Sequence, residues 1–225
     1  MSAALVLGAS GAIGSAIVQA LTDGGHDVAG TSREGGDGLL AVDPPTKLDA
    51  LDALAPLDAV VWAQGANLND SAADVEVEAF ESLMTANVTF VVATLGHLLR
   101  GGLIADGARL VVLSSIWQEI ARPGKFSYTV SKAAVGGLVR AASVDLAGRG
   151  ILVNAVLPSV TDTPMTRSML SAEQVSGVAG ATGFGRLTSL EDVAGLVAHL
   201  CSAANGGVTG QSIPVDLGFS HARRI

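Results

Sequence analysis

Leu5-Val6-Leu7-Gly8-Ala9-Ser10-Gly11-Ala12-Ile13-Gly14 is the stretch near the amino terminus that decides the fold. Its apolar beginning predicts a buried strand over Ala3–Leu7, and apolar residues four apart after it predict a helix over Gly14–Leu21. A glycine-rich turn between a strand and a helix is typical of dinucleotide sites, because backbone N–H groups can approach a pyrophosphate there. The candidate nucleotide-binding residues of this turn are Gly8, Ser10, Gly11, Ala12, Ile13 and Gly14.

The rest of the chain alternates short apolar runs with longer segments of helical period. The further predicted strands are Asp27–Ser32, Leu39–Val42, Ala59–Trp62, Arg109–Leu113, Ile151–Val156 and Ser212–Val215. The further predicted helices are Thr46–Leu54, Val75–Leu99, Tyr128–Leu146 and Leu190–Leu200. Because strands and helices alternate, we predict an α/β fold: a doubly wound, mostly parallel sheet with helices on both faces. No linker or internal repeat interrupts the pattern, so residues 1–225 are predicted to form one domain.

The composition limits the class of protein and its partners. A chain of 225 residues with 49% hydrophobic and 15% charged residues suits one domain with a full core. The net charge of -8, without a basic stripe, argues against nucleic acid as a partner. One cysteine, Cys201, excludes an internal disulfide and fits a reducing compartment. No signal peptide is visible, and Asn87, His97 and Arg100 interrupt the longest apolar segment, so we expect a cytoplasmic protein without a membrane span.

The end of the second predicted strand indicates which dinucleotide binds. An acidic residue there would accept a hydrogen bond from the ribose 2′-OH of NAD, whereas an arginine can pair with a 2′-phosphate. This strand ends in Ser32 and Arg33, which favours NADP(H), with NAD(H) as the alternative. In the ordinary interpretation Arg33 is a solvated residue neutralised by Glu34. Asp43, after the third strand, either accepts from the adenine amino group or caps a loop.

Four polar residues form a candidate catalytic group. Tyr128 and Lys132 are one helical turn apart and share a face, so the ammonium can shift the pKa of the phenol towards the working range. Ser115 ends the fifth strand, at the edge where open α/β sheets place their ligands. Asn87 lies mid-helix, where its type is disfavoured, which indicates a special role such as holding a water. Each feature alone has an ordinary structural explanation, but their combination behind a nucleotide turn favours catalysis.

These residues resemble the short-chain dehydrogenase/reductase family, and the match runs almost from end to end. The members of its Thr-Gly-x-x-x-Gly-x-Gly turn that this chain keeps include Gly8, Ser10, Ile13 and Gly14, whereas Leu7 replaces the threonine and Ala12 the middle glycine. The residues that match its catalytic tetrad are Asn87, Ser115, Tyr128 and Lys132, with the family's thirteen-residue step from serine to tyrosine. Downstream landmarks are Ile151–Pro158, Asp162-Thr163-Pro164-Met165, Gly185-Arg186 and Thr209-Gly210-Gln211. The departures are Ala63-Gln64-Gly65, where the family has Asn-Ala-Gly, and Ser159, where it has glycine.

The resemblance implies a Rossmann-like fold and a nicotinamide-dependent reaction between a ketone or aldehyde and an alcohol. Tyr128 would protonate the alkoxide in reduction and take the hydroxyl proton in oxidation, and Ser115 would polarise the carbonyl. Lys132 would tune Tyr128 and bind the nicotinamide ribose, and Asn87 would hold a water in a proton relay. The further cofactor contacts that it implies are Gln64, Gly65, Pro158, Val160 and Thr163.

The substrate is less defined than the reaction. We expect the segment 161–183 to be a mobile loop that closes over it, with Trp117, Gln118 and Arg167 at the entrance. A 3-oxoacyl group and a polar polyol or sugar are both compatible with these residues, and we expect no metal site.

Three cations near this entrance have two interpretations. Arg122 and Lys125 lie between two candidate catalytic residues, and with Arg167 they would focus an anionic substrate if they converge. Alternatively, all three are solvated loop residues that pair with Glu119 and Asp162.

Two other functions are alternatives to an oxidoreductase. A catalytically silent dinucleotide sensor would be expected to lack part of the tetrad, and an epimerase or dehydratase of the extended type would need a larger substrate domain.

The predicted helices Val75–Leu99 and Tyr128–Leu146 are apolar on more than one face, which indicates burial on both. In the resembling family these helices pair across a two-fold axis, so the resemblance implies a homotetramer, with a homodimer as the alternative.

Overall fold

A parallel sheet forms the centre of the computed structural model, which describes residues 2–44 and 46–221. Its strands are β1 (Ser2–Leu7), β2 (His26–Ser32), β3 (Leu40–Ala41), β4 (Leu57–Trp62), β5 (Ile104–Leu113), β6 (Leu152–Pro158) and β7 (Ser212–Val215). Within the described residues they pair in parallel in the order β3-β2-β1-β4-β5-β6-β7. The order reverses between β1 and β4, which opens a crevice for a ligand at the carboxyl ends of these strands.

Helices cover both faces of the sheet, and this confirms the predicted doubly wound α/β architecture. They are α1 (Ala12–Asp23), α2 (Val77–Met84), α3 (Phe90–Arg100), α4 (Phe126–Asp145), α5 (Pro164–Met169), α6 (Ala172–Ala181) and α7 (Leu190–Cys201). On one face, Ile17 of α1 and Val197 of α7 are fully buried in one core cluster. On the other face, Leu98 of α3 and Val139 of α4 are fully buried in the second cluster. The apolar runs of the central strands thus have helices on each side.

Two glycines make the turn between β1 and α1 possible. Gly8 has a φ of +86°, and a β-carbon there would lie 2.6 Å from the backbone nitrogen of Gln64. A β-carbon on Gly14 would lie 2.1 Å from the carbonyl oxygen of Gly8, so the first turn of α1 rests directly on the turn. The Ala9 N–H donates to the Thr31 carbonyl at 2.9 Å, which fastens the turn to the end of β2. The spacing of these glycines therefore has a packing cause.

The predicted helix Thr46–Leu54 is wrong, because only the short 3-10 turn Asp49–Leu51 forms there. Asp43 and Lys47 exchange two backbone hydrogen bonds of 3.1 Å, and this extended bridge uses groups that a helix beginning at this point would need. Leu51 is fully buried, so its apolar contact is kept without a helix.

The long predicted helix extends over Val77–Arg100, with a π-helical turn at Thr85–Thr89 between α2 and α3. By length and composition alone this helix could cross a membrane, since its most apolar window has a mean hydropathy of 1.4. The expectation that Asn87, His97 and Arg100 interrupt the segment enough to rule out such a length is therefore wrong. Val91 and Leu98 lie in the core, yet only 28% of that window is buried inside the monomer.

The segment 161–183, expected to be a loop, contains α5 and α6. The side chain of Thr163 caps α5 by accepting from the Thr166 N–H at 3.1 Å. Ser171 and Gln174 form a capping box at the start of α6. These caps supply the hydrogen-bond partners that helix N-termini need, so a segment with weak helical periodicity still folds into two short helices. Its mobility and its closure over a substrate stay predictions.

Candidate active site

Ser115 and Tyr128 meet at the carboxyl edge of the sheet. Ser115 is the second residue after β5, and its side chain caps the 3-10 turn Ile116–Gln118. Tyr128 lies in the first turn of α4. A side-chain hydrogen bond joins the two hydroxyl groups. Burial raises the pKa of Tyr128, and the hydrogen bond with Ser115 partly opposes that rise. The phenol is therefore neutral at neutral pH unless positive charge stabilises its ionised form.

Lys132 supplies such a charge from the next turn of α4. Its side chain is 4% exposed, and its Nζ lies 5.6 Å from the centre of the Tyr128 ring and donates to the Leu113 carbonyl at 3.3 Å. Burial lowers the pKa of Lys132 to about 8, so the amine still carries its proton at neutral pH. No salt bridge joins it to a carboxylate within residues 2–44 and 46–221. Its remaining donors are thus available to a ligand.

Asn87 connects the loop after β4 to α4. The π-helical turn holds its side chain so that Oδ1 accepts from the Ala66 N–H at 2.8 Å and Nδ2 donates to the Ala66 carbonyl at 3.1 Å. Nδ2 also donates to Oγ of Ser131 at 3.0 Å, and that hydroxyl donates to the Tyr128 carbonyl at 2.8 Å. Asn87 therefore positions the tyrosine turn. Sequence reasoning missed Ser131, although a serine three residues after Tyr128 lies on its side of the helix.

The residues around the crevice fit a dinucleotide. The N-terminus of α1 has no side-chain cap among the described residues, so its backbone N–H groups can bind an anionic group. A β-carbon on Gly65 would lie 3.2 Å from Oδ1 of Asn87 and 3.6 Å from Nζ of Lys132, so the bare backbone keeps this space open. Beside it, both polar atoms of the Gln64 side chain are buried without a hydrogen-bond partner in the described structure. Buried amides of this kind require a partner, which a bound ligand or water can supply.

The residues expected to select the cofactor lie together at the ends of β2 and β3. Nε of Arg33 is 3.6 Å from Oδ1 of Asp43, and both side chains are exposed, by 78% and 52%. Asp43, rather than Glu34, is thus the partner of Arg33. Oγ of Ser32 accepts from the Gly35 N–H at 2.9 Å, which orders the loop around the arginine.

The strand β6 brings the segment expected to contact nicotinamide beside Ser115. The carbonyl of Pro158 accepts from Oγ of Ser115 at 3.5 Å. Ser159, which replaces the usual glycine, shares a hydrogen bond of 2.7 Å with Thr188. Val160 and Thr163 follow in the connection to α5, and both are partly buried. The serine thus fixes this connection through its hydroxyl group.

The residues expected at the substrate entrance lie in different surroundings. Trp117 packs edge-to-face on Phe219, with ring centres 6.4 Å apart, and the guanidinium of Arg122 lies 5.6 Å from its ring centre. Gln118 instead donates to Oγ of Ser212 at 2.7 Å and packs against Gly136 of α4. Trp117 therefore has a charged neighbour, Arg122, whereas Gln118 contacts β7 and α4.

Arg122 and Lys125 line one common cavity, and burial together with the charge of Arg122 lowers the pKa of Lys125. Arg167 binds Asp162 through two hydrogen bonds of 2.6 and 2.7 Å, as the alternative interpretation expected. Lys125 is only 5% exposed and donates to Oδ1 of Asn67. Arg167 is therefore paired with a carboxylate, and Lys125 is buried rather than solvated. Among the described residues, no cluster of three histidine, cysteine, aspartate or glutamate side chains could hold a metal ion.

Comparisons with known proteins agree with this geometry. The family model described as enoyl-(acyl carrier protein) reductase matches residues 46–220. Glucose 1-dehydrogenase of Gluconobacter oxydans is 30% identical, over 96% of this chain and 91% of its own. The 3-oxoacyl-[acyl-carrier-protein] reductase of Vibrio cholerae is 28% identical, over 96% of both chains. The crystal structure of a blue fluorescent protein from a metagenomic library, in complex with NADPH, has a TM-score of 0.86 and 28% identity, covering 97% of this chain and 98% of that one.

The fold, the tetrad geometry and these relatives lead to one conclusion. The chain belongs to the short-chain dehydrogenase/reductase family, whose members are oxidoreductases that bind a nicotinamide dinucleotide.

Proposed function

We propose that this oxidoreductase prefers NADP(H) and interconverts a ketone or aldehyde with an alcohol, using Tyr128 as its general acid and base. The observation that carries the proposal is the hydrogen-bonded pair of Ser115 and Tyr128 beside the buried ammonium of Lys132. The cofactor, when bound, supplies or accepts the hydride. The residues of the chain bind and orient the reactants and move the proton.

The proton transfer follows from the surroundings of the phenol. In reduction, Tyr128 donates its proton to the substrate oxygen, and the Ser115 hydroxyl donates to the same oxygen and stabilises its developing charge. In oxidation, Tyr128 takes the hydroxyl proton and must first be ionised. The buried ammonium of Lys132 favours that form, because it is 5.6 Å from the ring and little screened by water. Asn87 is held in place by the backbone of Ala66, and through Ser131 it positions the helical turn that carries Tyr128.

The glycine turn, the N-terminus of α1, Gly65 and Lys132 would hold the cofactor. Arg33 supports the choice of NADP(H), because β2 ends without a carboxylate and Arg33 can exchange Asp43 for a 2′-phosphate. A solved structure of 28% identity that contains NADPH agrees with this choice.

Replacing Arg33 with alanine is expected to weaken NADPH binding about fivefold to thirtyfold, or ~1–2 kcal/mol for a charged hydrogen bond at an exposed site. NADH affinity should stay nearly unchanged, because NADH lacks the 2′-phosphate. Fluorescence titration of both cofactors measures the two affinities. Asp43→Asn is the matched control, since it releases Arg33 and should improve NADPH binding relative to NADH. Equal losses for both cofactors in Arg33→Ala would show that Arg33 only shapes the loop.

The substrate class is best tested with a panel. The relatives are named for glucose and for 3-oxoacyl groups, so the panel contains aldoses, polyols and 3-oxoacyl thioesters. Each compound is assayed by nicotinamide absorbance with NADPH, NADH and their oxidised forms. We expect turnover of at least one pair, faster with the phosphorylated cofactor. Tight cofactor binding without turnover across the panel would favour the silent sensor instead.

The long helices also support a homotetramer or homodimer. The large apolar residues that they expose are Val77, Val92, Phe126, Val130 and Val144. An apolar helix face left open in the monomer is typical of a subunit interface. Light scattering at micromolar concentration should therefore give a multiple of the chain mass, and Val92→Asp with Val144→Asp should reduce it. A monomeric wild-type protein would contradict this assembly.

A further inference from the structure

Lys125 is a second buried cation beside Tyr128, and the mechanism above does not use it. It lies three residues before the tyrosine, immediately before α4, and is 5% exposed. Its Nζ is 5.1 Å from the centre of the Tyr128 ring, slightly closer than Nζ of Lys132 at 5.6 Å. The phenol ring therefore has two ammonium groups near it: Lys125 precedes Tyr128 in the sequence, and Lys132 follows it.

The loop after β4 fixes the position of Lys125. Asn67 in this loop accepts a hydrogen bond from its Nζ. Three residues further, the carboxylate of Asp70 accepts from the N–H of Ser127 at 2.9 Å and from its hydroxyl, and the Asp70 carbonyl accepts from the Phe126 N–H at 3.3 Å. The loop thus binds the lysine itself and the two residues that follow it, which limits where its ammonium can move.

The electrostatic surroundings of Lys125 are unusual for a residue that only ties loops together. Burial, with a smaller effect of Arg122, lowers its pKa to about 8, and Asp70 opposes the change. The amine therefore still carries its proton at neutral pH. No salt bridge pairs it within the described part of the chain, since Asp70 binds Ser127. A neutral side chain could make the same hydrogen bond to Asn67 without the cost of burying a charge.

We propose that Lys125 is a positioning residue that presents a second positive charge to the ring of Tyr128 and so favours its ionised form. The proposal rests on the acid and base role proposed above for Tyr128. A cation over an aromatic ring is attracted to its π electrons, and a full negative charge on the phenolate strengthens the attraction. The other charged side chains that act on this pair in the described structure are Lys132, Arg122 and Asp70.

The test uses the fact that Tyr128 is the only tyrosine in the chain. The near-ultraviolet absorbance of phenolate therefore titrates this one group. The enzyme is titrated with oxidised cofactor bound, as wild type, Lys125→Gln and Lys125→Arg. Glutamine keeps a donor for Asn67 without the charge, and arginine keeps the charge. We expect the midpoint of Tyr128 ionisation to rise by about one pH unit in the glutamine variant and to stay close to wild type in the arginine variant.

The pH profile of kcat/KM should follow the titration. Alcohol oxidation needs the phenolate, so near neutral pH it should fall about tenfold in Lys125→Gln, while carbonyl reduction, which needs the phenol, falls less. Arg149→Gln is the control, because Arg149 binds Asp106 near the start of β5, at the opposite edge of the sheet, and should leave the midpoint in place. If Lys125→Gln does not fold, Asn67→Leu, which releases the ammonium, should raise the midpoint instead.

An unchanged midpoint in Lys125→Gln, or in Asn67→Leu where it replaces that test, would overturn the proposal and leave Lys125 as a loop contact. An equal rise in Lys125→Arg would also overturn it, because charge would not be the cause. Failure of the underlying role of Tyr128 is distinguishable, since it would appear as full turnover by Tyr128→Phe.

Discussion

Tyr128→Phe is expected to lower turnover by about two to four orders of magnitude, as removal of a general acid and base usually does. Only the hydroxyl is lost, and its hydrogen-bond partner Ser115 keeps the Pro158 carbonyl as acceptor, so the fold should persist. Cofactor affinity should stay within about twofold, because Lys132 and the glycine turn are intact. Steady-state kinetics on a verified substrate, together with cofactor titration, measure both quantities.

Thr129→Val is the matched control for this variant. Thr129 follows Tyr128 in the same turn of α4, and its hydroxyl is buried without a hydrogen-bond partner among the described residues. Removing that hydroxyl should leave turnover near the wild-type level. Near-normal turnover by Tyr128→Phe would remove the phenol from the mechanism, whatever the control does.

Lys132→Met should have the second largest effect, with opposite consequences for activity and stability. Turnover should fall at least a hundredfold, because the phenolate loses its ammonium, and cofactor affinity should fall as well. The protein without cofactor should become more stable, since a buried charge without a salt bridge is replaced by an apolar chain of similar length. Thermal unfolding of both proteins checks the second effect.

The gain in stability should depend on pH in a definite direction. Burial lowers the pKa of Lys132 to about 8 in the folded protein, whereas an unfolded lysine titrates near ~10.4. Below pH 8 the folded state bears the full cost of the charge, and above the unfolded value it bears none. The advantage of Lys132→Met should therefore be largest near pH 7 and shrink as the pH rises from 8 to 10. A pH-independent difference would mean that packing, rather than charge, separates the two proteins.

The central strands and the pairing of Tyr128 with Lys132 on one helix face could be predicted because their signals are local. Apolar runs mark the strands, and one helical turn separates Tyr128 from Lys132 whatever the rest of the chain does. The predicted helix Thr46–Leu54 failed because a bridge between Asp43 and Lys47 competes for its backbone. That competition depends on backbone geometry rather than on apolar spacing. The cytoplasmic location stays a prediction.

The surroundings of the charged residues could not be predicted, since they depend on contacts distant in sequence. Lys125 was expected at an open entrance, yet it is buried because Asn67, 58 residues earlier, lies across it. In the ordinary interpretation Arg33 was neutralised by Glu34, whereas in the structure it pairs with Asp43, which follows the neighbouring strand β3. Periodicity indicates which face of an element is apolar, but it contains no information on which loop meets a given side chain.

Transfer of an isotope label tests the central claim most directly. NADPH with deuterium at the transferable position of the nicotinamide ring is incubated with a carbonyl substrate from the panel, and the alcohol product is analysed by mass spectrometry. The account predicts one deuterium on the carbon that bears the new hydroxyl group with wild-type enzyme, formed at least a hundredfold more slowly by Tyr128→Phe. Oxidation of NADPH without label in the alcohol, or equal rates of labelling by both proteins, would contradict it.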